Sequence, residues 1–262
     1  MSPIVFPRVT LFGVPMARLS MLETLLSMEE AIDDEVQISH TIVNPSMIVE
    51  MGSNVALRNA VLQSDLITTN SKLLVWASRL LGKPLPEAVD TVHLLNNIAR
   101  LSRQGHYRIF FFGLTEGELE KCVDNFISKY SGSILAGAHC GEYVLDDERS
   151  IAEQIADSEA QILFIDLPSP RQENFLRKYG SILSRVNVIV KANKGLSVIS
   201  AQNKKRKNVD TNRVKLGVME SLNKAFTSMN HALLSTLKFL AITVTEGFKP
   251  RRYNPPRRGR LA

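Results

Sequence analysis

Short apolar runs alternate with longer segments of helical periodicity along the first 200 residues. The runs are continuous and rich in Ile, Val and Phe, as is typical of strands that are buried on both faces of a sheet. They predict strands over residues 9–12, 36–43, 65–69, 108–112, 134–137, 162–167 and 186–191. The periodic segments predict helices over residues 20–34, 45–62, 71–81, 92–104, 116–130, 150–157 and 170–183.

This alternation also predicts the fold class. It is typical of α/β proteins with a mainly parallel, Rossmann-like sheet and helices on both faces. In such sheets ligands bind beyond the carboxyl ends of the strands, so the residues that follow the strands are the candidates for a site. A chain of 262 residues with 44% hydrophobic content can bury a substantial core, and we expect that core within residues 1–200.

The composition changes after residue 200. Residues 1–201 hold 18 Lys and Arg against 23 Asp and Glu, a charge of −5, whereas residues 202–262 hold 14 against 3, a charge of +11. Apolar residues from 218 to 240 recur at steps of three and four, which indicates an amphipathic helix. We therefore predict a C-terminal appendage over residues 201–262 that contacts an anionic membrane surface. Its candidate membrane-binding residues are Lys249, Arg251, Arg252, Arg257, Arg258 and Arg260.

Two other interpretations of the basic end stay open. The apolar stripe can pack on the core ahead of an unstructured tail, and a basic tail can bind nucleic acid. We expect no nucleic-acid partner, because no recognisable nucleic-acid-binding module occurs and the rest of the chain is acidic. No basic start precedes an apolar run at the N-terminus, and no apolar run has the length of a spanning helix. We therefore expect a cytoplasmic protein that is soluble or peripheral to the membrane.

The first candidate for ligand binding is the segment over residues 167–173, which follows an apolar strand and opens a helix. The free amides and the dipole of a helix start suit a phosphate. Gln172 can both donate and accept hydrogen bonds, and Arg171 can pair with a diphosphate. A helix start stiffened by proline, with solvated charges, explains the same residues without a ligand.

Three further candidates follow other strands. Asn44 can cap a helix or contact a ligand. Gly141 allows close backbone approach and Tyr143 can stack on a base, although an ordinary loop fits these residues equally well. Gly113 ends an apolar strand without the later glycines of a dinucleotide fingerprint, which argues against a Rossmann dehydrogenase.

The chain lacks several motifs of cofactor and metal chemistry. It has no Walker A motif, no Gly-x-Ser-x-Gly turn and no Asp-x-Asp pair. Its two cysteines and five scattered histidines form neither a disulfide framework nor a zinc motif. We therefore expect no cofactor and no metal site.

Several of these segments form an ordered series of motifs between about residue 9 and residue 185. They are Leu11-Phe-Gly-Val-Pro, Ile42-Val-Asn, Asn59-Ala-Val-Leu-Gln-Ser-Asp, Leu80-Leu-Gly-Lys-Pro-Leu-Pro-Glu, Arg108-Ile-Phe-Phe-Phe-Gly, residues 137–143 and Pro168-Ser-Pro-Arg-Gln-Glu. In this order they resemble the WecG/TagA/CpsF family of bacterial glycosyltransferases. The last motif is the most specific, because it is similar to the family's Gly-Ser-Pro-Lys-Gln-Glu signature.

The resemblance implies an inverting, metal-independent enzyme. It would transfer a sugar from a nucleotide-sugar donor, usually a UDP-sugar, to a saccharide on a polyprenyl diphosphate. This reaction serves surface polysaccharide assembly at the inner face of the bacterial plasma membrane, which the C-terminal appendage contacts. The resemblance leaves open whether the chain forms a homo-oligomer. Residues at or beside the donor pocket would be Asn44, Gly113, Gly141, Tyr143, Arg171, Gln172 and Glu173.

The chain departs from the family where catalytic polar groups are expected. Asn70 stands at the position of the candidate general base, an Asp, and Ala88 stands at the position of an Arg. His93 replaces a second Asp, and Ser197 lies near the place of a third. An amide oxygen is too weak a base to accept the proton of the acceptor hydroxyl, so Asn70 cannot do the work of that Asp. His93 is our candidate for the base that takes over this role. The candidate catalytic positions are therefore Asn70 and His93. The alternative is an inactive relative that binds a nucleotide sugar or a membrane partner in a polysaccharide assembly complex.

Overall fold

The computed structural model describes residues 5–192, 195–201 and 238–243. These residues form an α/β fold with a six-stranded, all-parallel sheet beside a two-stranded antiparallel hairpin, which confirms the predicted fold class. The strands are β1 Arg8–Leu11, β2 Val14–Ala17, β3 Ile38–Val43, β4 Leu66–Thr69, β5 Arg108–Gly113, β6 Ile134–His139, β7 Ile162–Asp166 and β8 Val188–Lys191. The helices are α1 Met21–Asp33, α2 Pro45–Glu50, α3 Val55–Leu62, α4 Lys72–Leu80, α5 Thr91–Gly105, α6 Glu116–Lys129, α7 Glu148–Asp157, α8 Arg171–Tyr179 and α9 Gly195–Ala201.

The strands of the large sheet lie in the order β4-β3-β8-β7-β5-β6. Every neighbouring pair is parallel, so all carboxyl ends share one edge. The central strands β7 and β8 are buried almost throughout, which explains why their sequences are continuous apolar runs. The loops that leave this common edge carry the candidate site residues.

The three phenylalanines of β5 show how the core divides into two layers. Successive side chains of a strand point to opposite faces. Phe111 packs edge-on against Phe126 of α6, with ring centres 5.1 Å apart. Phe112 faces the other way and packs against Phe175 of α8 at 4.9 Å. Helices on both faces therefore bury the sheet.

Two helix predictions are wrong in their extent. The predicted helix over residues 45–62 is interrupted between α2 and α3, because Asn54 starts a new helix: its side-chain oxygen accepts from the Leu57 amide at 3.0 Å. The predicted helix over residues 170–183 ends with α8 at Tyr179, and a separate 3₁₀ turn follows over Ile182–Arg185. At the start of α1, Ser20 and Glu23 form a capping box.

The β1–β2 hairpin and the last described segment pack together. The hairpin turns at Phe12 and Gly13, which both have positive φ angles, as a two-residue turn requires. Phe239, in the helical segment 238–243, is fully buried and its ring centre lies 5.1 Å from that of Phe12.

Two predictions for the C-terminal appendage lie outside the described residues. They are most of the predicted helix over 218–240 and the candidate membrane-binding residues Lys249, Arg251, Arg252, Arg257, Arg258 and Arg260. The boundary near residue 200 stays a prediction.

Candidate functional site

Two polar side chains in the first turn of α8 line a small cavity at the carboxyl edge of the sheet. Gln172 is only 3% exposed, and its Oε1 has no hydrogen-bond partner among the described residues. The Oε2 of Glu173 is also buried without a described partner. Thr41 of β3 and Lys191 of β8 line the same cavity, whose volume is about 50 Å³. Because buried acceptors are nearly always paired, this cavity offers two oxygens that a ligand can satisfy.

Lys191 is a buried cation at the end of β8. Its Nζ donates to the carbonyl of Ala60 at 3.3 Å and to the hydroxyl of Ser64 at 3.0 Å, both near the carboxyl end of α3. Burial lowers the pKa of Lys191, while the carboxylates of Glu173 and Asp65 act in the opposite direction. Sequence reasoning missed this residue, although a lysine within an otherwise apolar strand was a signal that could have found it.

Arg171 joins the start of α8 to the loop after β6. Its guanidinium donates to the carbonyl of Gly141 at 3.2 Å and to that of Tyr143 at 2.8 Å. The Tyr143 hydroxyl is buried without a described partner. Burial raises the pKa of Tyr143, and the positive charge of Arg171 acts against that rise. Arg171 therefore positions Tyr143 in this structure, and its contact with a diphosphate stays a prediction.

Gly113 and Gly141 let the loops after β5, β6 and β7 pack closely. Gly113 has a φ of +130°, and a Cβ there would lie 2.4 Å from the carbonyl oxygen of Asp166. A Cβ on Gly141 would lie 2.9 Å from a methyl group of Leu167 and 3.2 Å from the Cα of Gly113. Both positions require glycine for packing, and their direct contact with a substrate stays a prediction.

Asn44 caps α2. Its Oδ1 accepts from the Met47 amide at 2.9 Å and from the Ser46 hydroxyl at 2.6 Å. The capping role that the sequence indicates is therefore present. A ligand contact of Asn44 stays a prediction.

Asn70 and the start of α5 meet at the end of β4. Asn70 is exposed and directly follows the strand. The backbone amide of Val89 donates to the carbonyl of Thr69 at 2.7 Å, which holds the segment before α5 beside Asn70. The end of β4, which precedes Asn70, and the segment that leads to His93 thus lie side by side at one corner of the sheet edge.

Asp90 pairs with His93 at that corner. As the N-cap of α5, its Oδ1 accepts from the backbone amide of His93 at 3.0 Å. The same oxygen lies 3.5 Å from Nδ1 of the His93 ring, whose side chain is 74% exposed. Sequence-based prediction did not name Asp90 as a candidate. A carboxylate at the start of a predicted helix, three residues before His93, could have indicated it.

Ala88 and Ser197 occupy the other two departures from the family pattern. Ala88 borders a cavity of about 370 Å³ that Lys72 and Arg79 of α4 also line. Ser197 lies in α9.

Within residues 5–192, 195–201 and 238–243, no group of three or more His, Cys, Asp or Glu side chains could hold a metal ion. In the same ranges no helix is long and apolar enough to cross a membrane.

The fold is that of a doubly wound α/β protein, with a candidate ligand site in the cavity at the carboxyl edge of its sheet. The model of the glycosyl transferase WecG/TagA/CpsF family matches residues 9–216, and the chain belongs to this family. The resemblance found in the sequence motifs is thereby confirmed.

Three relatives carry the same name, N-acetylglucosaminyldiphosphoundecaprenol N-acetyl-beta-D-mannosaminyltransferase. The chain is 29% identical to that of Bacillus spizizenii, over 52% of either chain. It is 24% identical to that of Bacillus subtilis, over 56% of this chain and 57% of the relative. It is 19% identical to that of Staphylococcus aureus, over 64% and 66% respectively. The chain thus spans between about half and two thirds of the length of these relatives.

Proposed function

We propose that the chain is a glycosyltransferase of bacterial surface polysaccharide assembly. It transfers a sugar from a nucleotide-sugar donor, a UDP-sugar, to a saccharide carried on polyprenyl diphosphate. Membership of the family supports the reaction class. The name that the relatives share suggests the first substrates to assay, an N-acetylmannosaminyl donor and N-acetylglucosaminyl-diphosphoundecaprenol as acceptor.

The observation that carries the proposal is the pair of unpartnered acceptors at Gln172 and Glu173. A nucleoside presents N–H and O–H donors on its base and ribose, and these complement two acceptor oxygens. A cavity of about 50 Å³ holds one or two water molecules. We therefore expect a polar edge of the donor to displace water there, while the rest of the nucleotide lies outside the cavity, over the strand ends.

The transfer itself is a single displacement at the anomeric carbon. A hydroxyl of the acceptor forms the new C–O bond, and the bond from the anomeric carbon to the β-phosphate oxygen breaks, so UDP leaves and the configuration inverts. The hydroxyl proton passes to a base, for which we propose His93, with Asp90 orienting its imidazole. Arg171 or the arginines of the C-terminal tail would stabilise the leaving diphosphate without a metal ion.

A transfer assay with the purified chain tests this proposal. UDP-N-acetylmannosamine and the lipid-linked acceptor are incubated with the chain, and the lipid product is identified by its mass. We expect one added sugar, an inverted linkage and the same rate with and without a chelator. UDP formed without a lengthened lipid, or no product with any common UDP-sugar, would contradict the proposed reaction.

The second candidate function is that of an inactive relative that binds a nucleotide sugar within an assembly complex. It is favoured by the amide at Asn70 and by the wide exposure of His93. This function predicts donor binding without transfer.

Membrane association belongs to the same proposal. The acceptor lipid resides in the bilayer, so we place the chain at the inner face of the plasma membrane, held by the basic appendage over residues 201–262. Flotation with anionic vesicles tests this placement by comparing the whole chain with a variant in which the six basic tail residues are neutral.

A further inference from the structure

The outer face of α4 carries an aromatic and basic stripe. Its members are Lys72, Trp76, Arg79 and Leu80, which we call the α4 stripe. Trp76 lies four positions after Lys72, three before Arg79 and four before Leu80, so the four side chains share one side of the helix. Trp76 is 51% exposed and Leu80 is 64% exposed, and both cations are exposed as well. The opposite face of α4 packs into the core through Leu74, Val75 and Ala77.

The chemistry of this stripe fits a lipid headgroup region. An indole has an apolar body and an N–H donor, so it is most stable where one end is apolar and the other wet. Lys72 and Arg79 flank Trp76 along the helix and can reach phosphates beside it. The adjoining cavity of about 370 Å³ also contains Glu87, whose Oε1 accepts from the Met21 amide at 2.6 Å. That carboxylate is therefore engaged within the protein.

The position of the stripe agrees with such a contact. α4 begins two residues after Asn70, at the carboxyl end of β4. The segment 238–243 places Phe239 in the same core cluster as the inner face of α4. Lys249 follows Thr243 by six residues, which span at most about 20 Å. The basic tail thus begins no more than about 20 Å along the chain from a segment that shares a core cluster with α4.

We propose that the α4 stripe is a second membrane contact, which docks on an anionic phospholipid surface. Trp76 lies at the level of the headgroups, and Lys72 and Arg79 pair with lipid phosphates. The inference rests on the proposed function in one respect, namely that the acceptor is a membrane lipid. Docking of α4 brings the corner at Asn70 to the bilayer, where the acceptor diphosphate emerges.

The chain itself supplies the probe, because Trp76 is its single tryptophan. The whole chain is titrated with vesicles of phosphatidylglycerol and phosphatidylcholine, and with vesicles of phosphatidylcholine alone. We expect a blue shift of Trp76 emission with the anionic vesicles only. Phosphatidylcholine brominated on its acyl chains, mixed into the anionic vesicles, should quench that emission.

A pair of double variants separates the stripe from general charge. Replacement of both cations, Lys72→Ala with Arg79→Ala, should weaken vesicle binding about 30-fold if each contributes as a typical surface cation. The matched control is Arg100→Ala with Lys121→Ala, two exposed cations on α5 and α6. The control should bind as the unaltered chain does, and circular dichroism verifies that both variants fold.

Each other outcome overturns the inference. Vesicle binding without any change in Trp76 emission would leave the tail as the membrane contact and exclude α4. Emission that is already blue-shifted without vesicles would show that Trp76 is covered by the chain itself, or by a second copy if the shift depends on protein concentration. Binding of UDP in solution needs no vesicle, so it tests the donor site separately from this inference.

Discussion

The guanidinium carbon of Arg171 lies 3.7 Å from the centre of the Tyr143 ring. This stacking adds to the two hydrogen bonds from Arg171 to the loop after β6. A cation over an aromatic face is attracted by the ring quadrupole, and more strongly where water is partly excluded. The pair thus fixes the loop after β6 against the first turn of α8, where Gln172 enters the cavity.

Replacement of Arg171 should weaken the packing of the loop after β6 against α8. We expect Arg171→Ala to lower the free energy of unfolding by about 2 kcal/mol, since two charge-assisted hydrogen bonds and a cation–π contact are lost. Arg171→Lys should recover only part of this, because an ammonium lacks the fork that reaches two carbonyls. Urea unfolding measures the change. Arg177→Ala, at an exposed position of the same helix, should stay within about 0.5 kcal/mol of the unaltered chain. Equal losses at both positions would contradict the role of Arg171.

Gln172 should behave as a residue kept for binding rather than for stability. Its Oε1 is buried without a described partner, so Gln172→Leu removes an unsatisfied acceptor and adds an apolar side chain of similar size. We expect the free energy of unfolding to be unchanged or higher by up to about 1 kcal/mol, measured by urea unfolding. A loss of several kcal/mol would mean that Gln172 is a structural residue.

The repeating parts of the fold could be predicted from the sequence. The apolar runs are strands and most of the periodic segments are helices in the structure. Burial of one face of a helix, or of both faces of a strand, requires apolar residues at regular positions along the sequence. The pattern failed at Gly52 and Asn54, where apolar spacing continues while Asn54 caps a new helix. It also missed β2, a four-residue strand that contains Pro15 and that pairs only with β1 in the described residues.

The candidate site was only partly predictable. The motif around Gln172 indicated the carboxyl edge of the sheet, where the cavity lies, since every parallel strand ends there. The pairing of Arg171 with Tyr143 could not be predicted, because it joins residues 28 positions apart through a loop whose course depends on Gly113 and Gly141. Lys191 was missed for a related reason: its partners, Ala60 and Ser64, lie in α3 and just after it, more than 120 positions away.

The corner at Asn70 allows a test of the proton acceptor. If His93 is the base, His93→Ala should lower the turnover rate about a hundredfold or more, and Asp90→Asn should lower it by less. Asn70→Asp should then raise the rate only modestly, since a base is already present. The transfer assay measures all three variants. A rise of a hundredfold or more in Asn70→Asp, with no loss in His93→Ala, would indicate a decayed site and contradict the assignment of His93.

His40 should make stability depend on pH. It is fully buried, and its Nε2 lies 2.8 Å from the hydroxyl of Thr68. Burial, with a smaller effect of Lys191, lowers the pKa of His40 to about 3. The unfolded chain takes up this proton near pH 6.5, so stability is fully present above that pH and falls as the pH drops toward 3. The slope should be about 1.4 kcal/mol per pH unit.

The pH effect is checked by urea unfolding between pH 8 and pH 5. His40→Leu should flatten the decline below pH 6.5, because it removes the titrating group. Thr68→Val, which removes the hydroxyl partner and keeps His40 buried, should retain the decline. An unaltered slope in His40→Leu would show that other groups cause it.

The central claim is that the acceptor oxygens at Gln172 and Glu173 receive a nucleoside diphosphate. Calorimetric titration of the whole chain with UDP tests it most directly, because UDP binding needs neither the correct sugar nor an active base. We predict binding that weakens about tenfold or more in Gln172→Leu and stays unchanged in Asn174→Ala, an exposed neighbour on α8. Absence of any UDP-dependent heat, or equal affinity in the chain and in Gln172→Leu, would contradict the claim.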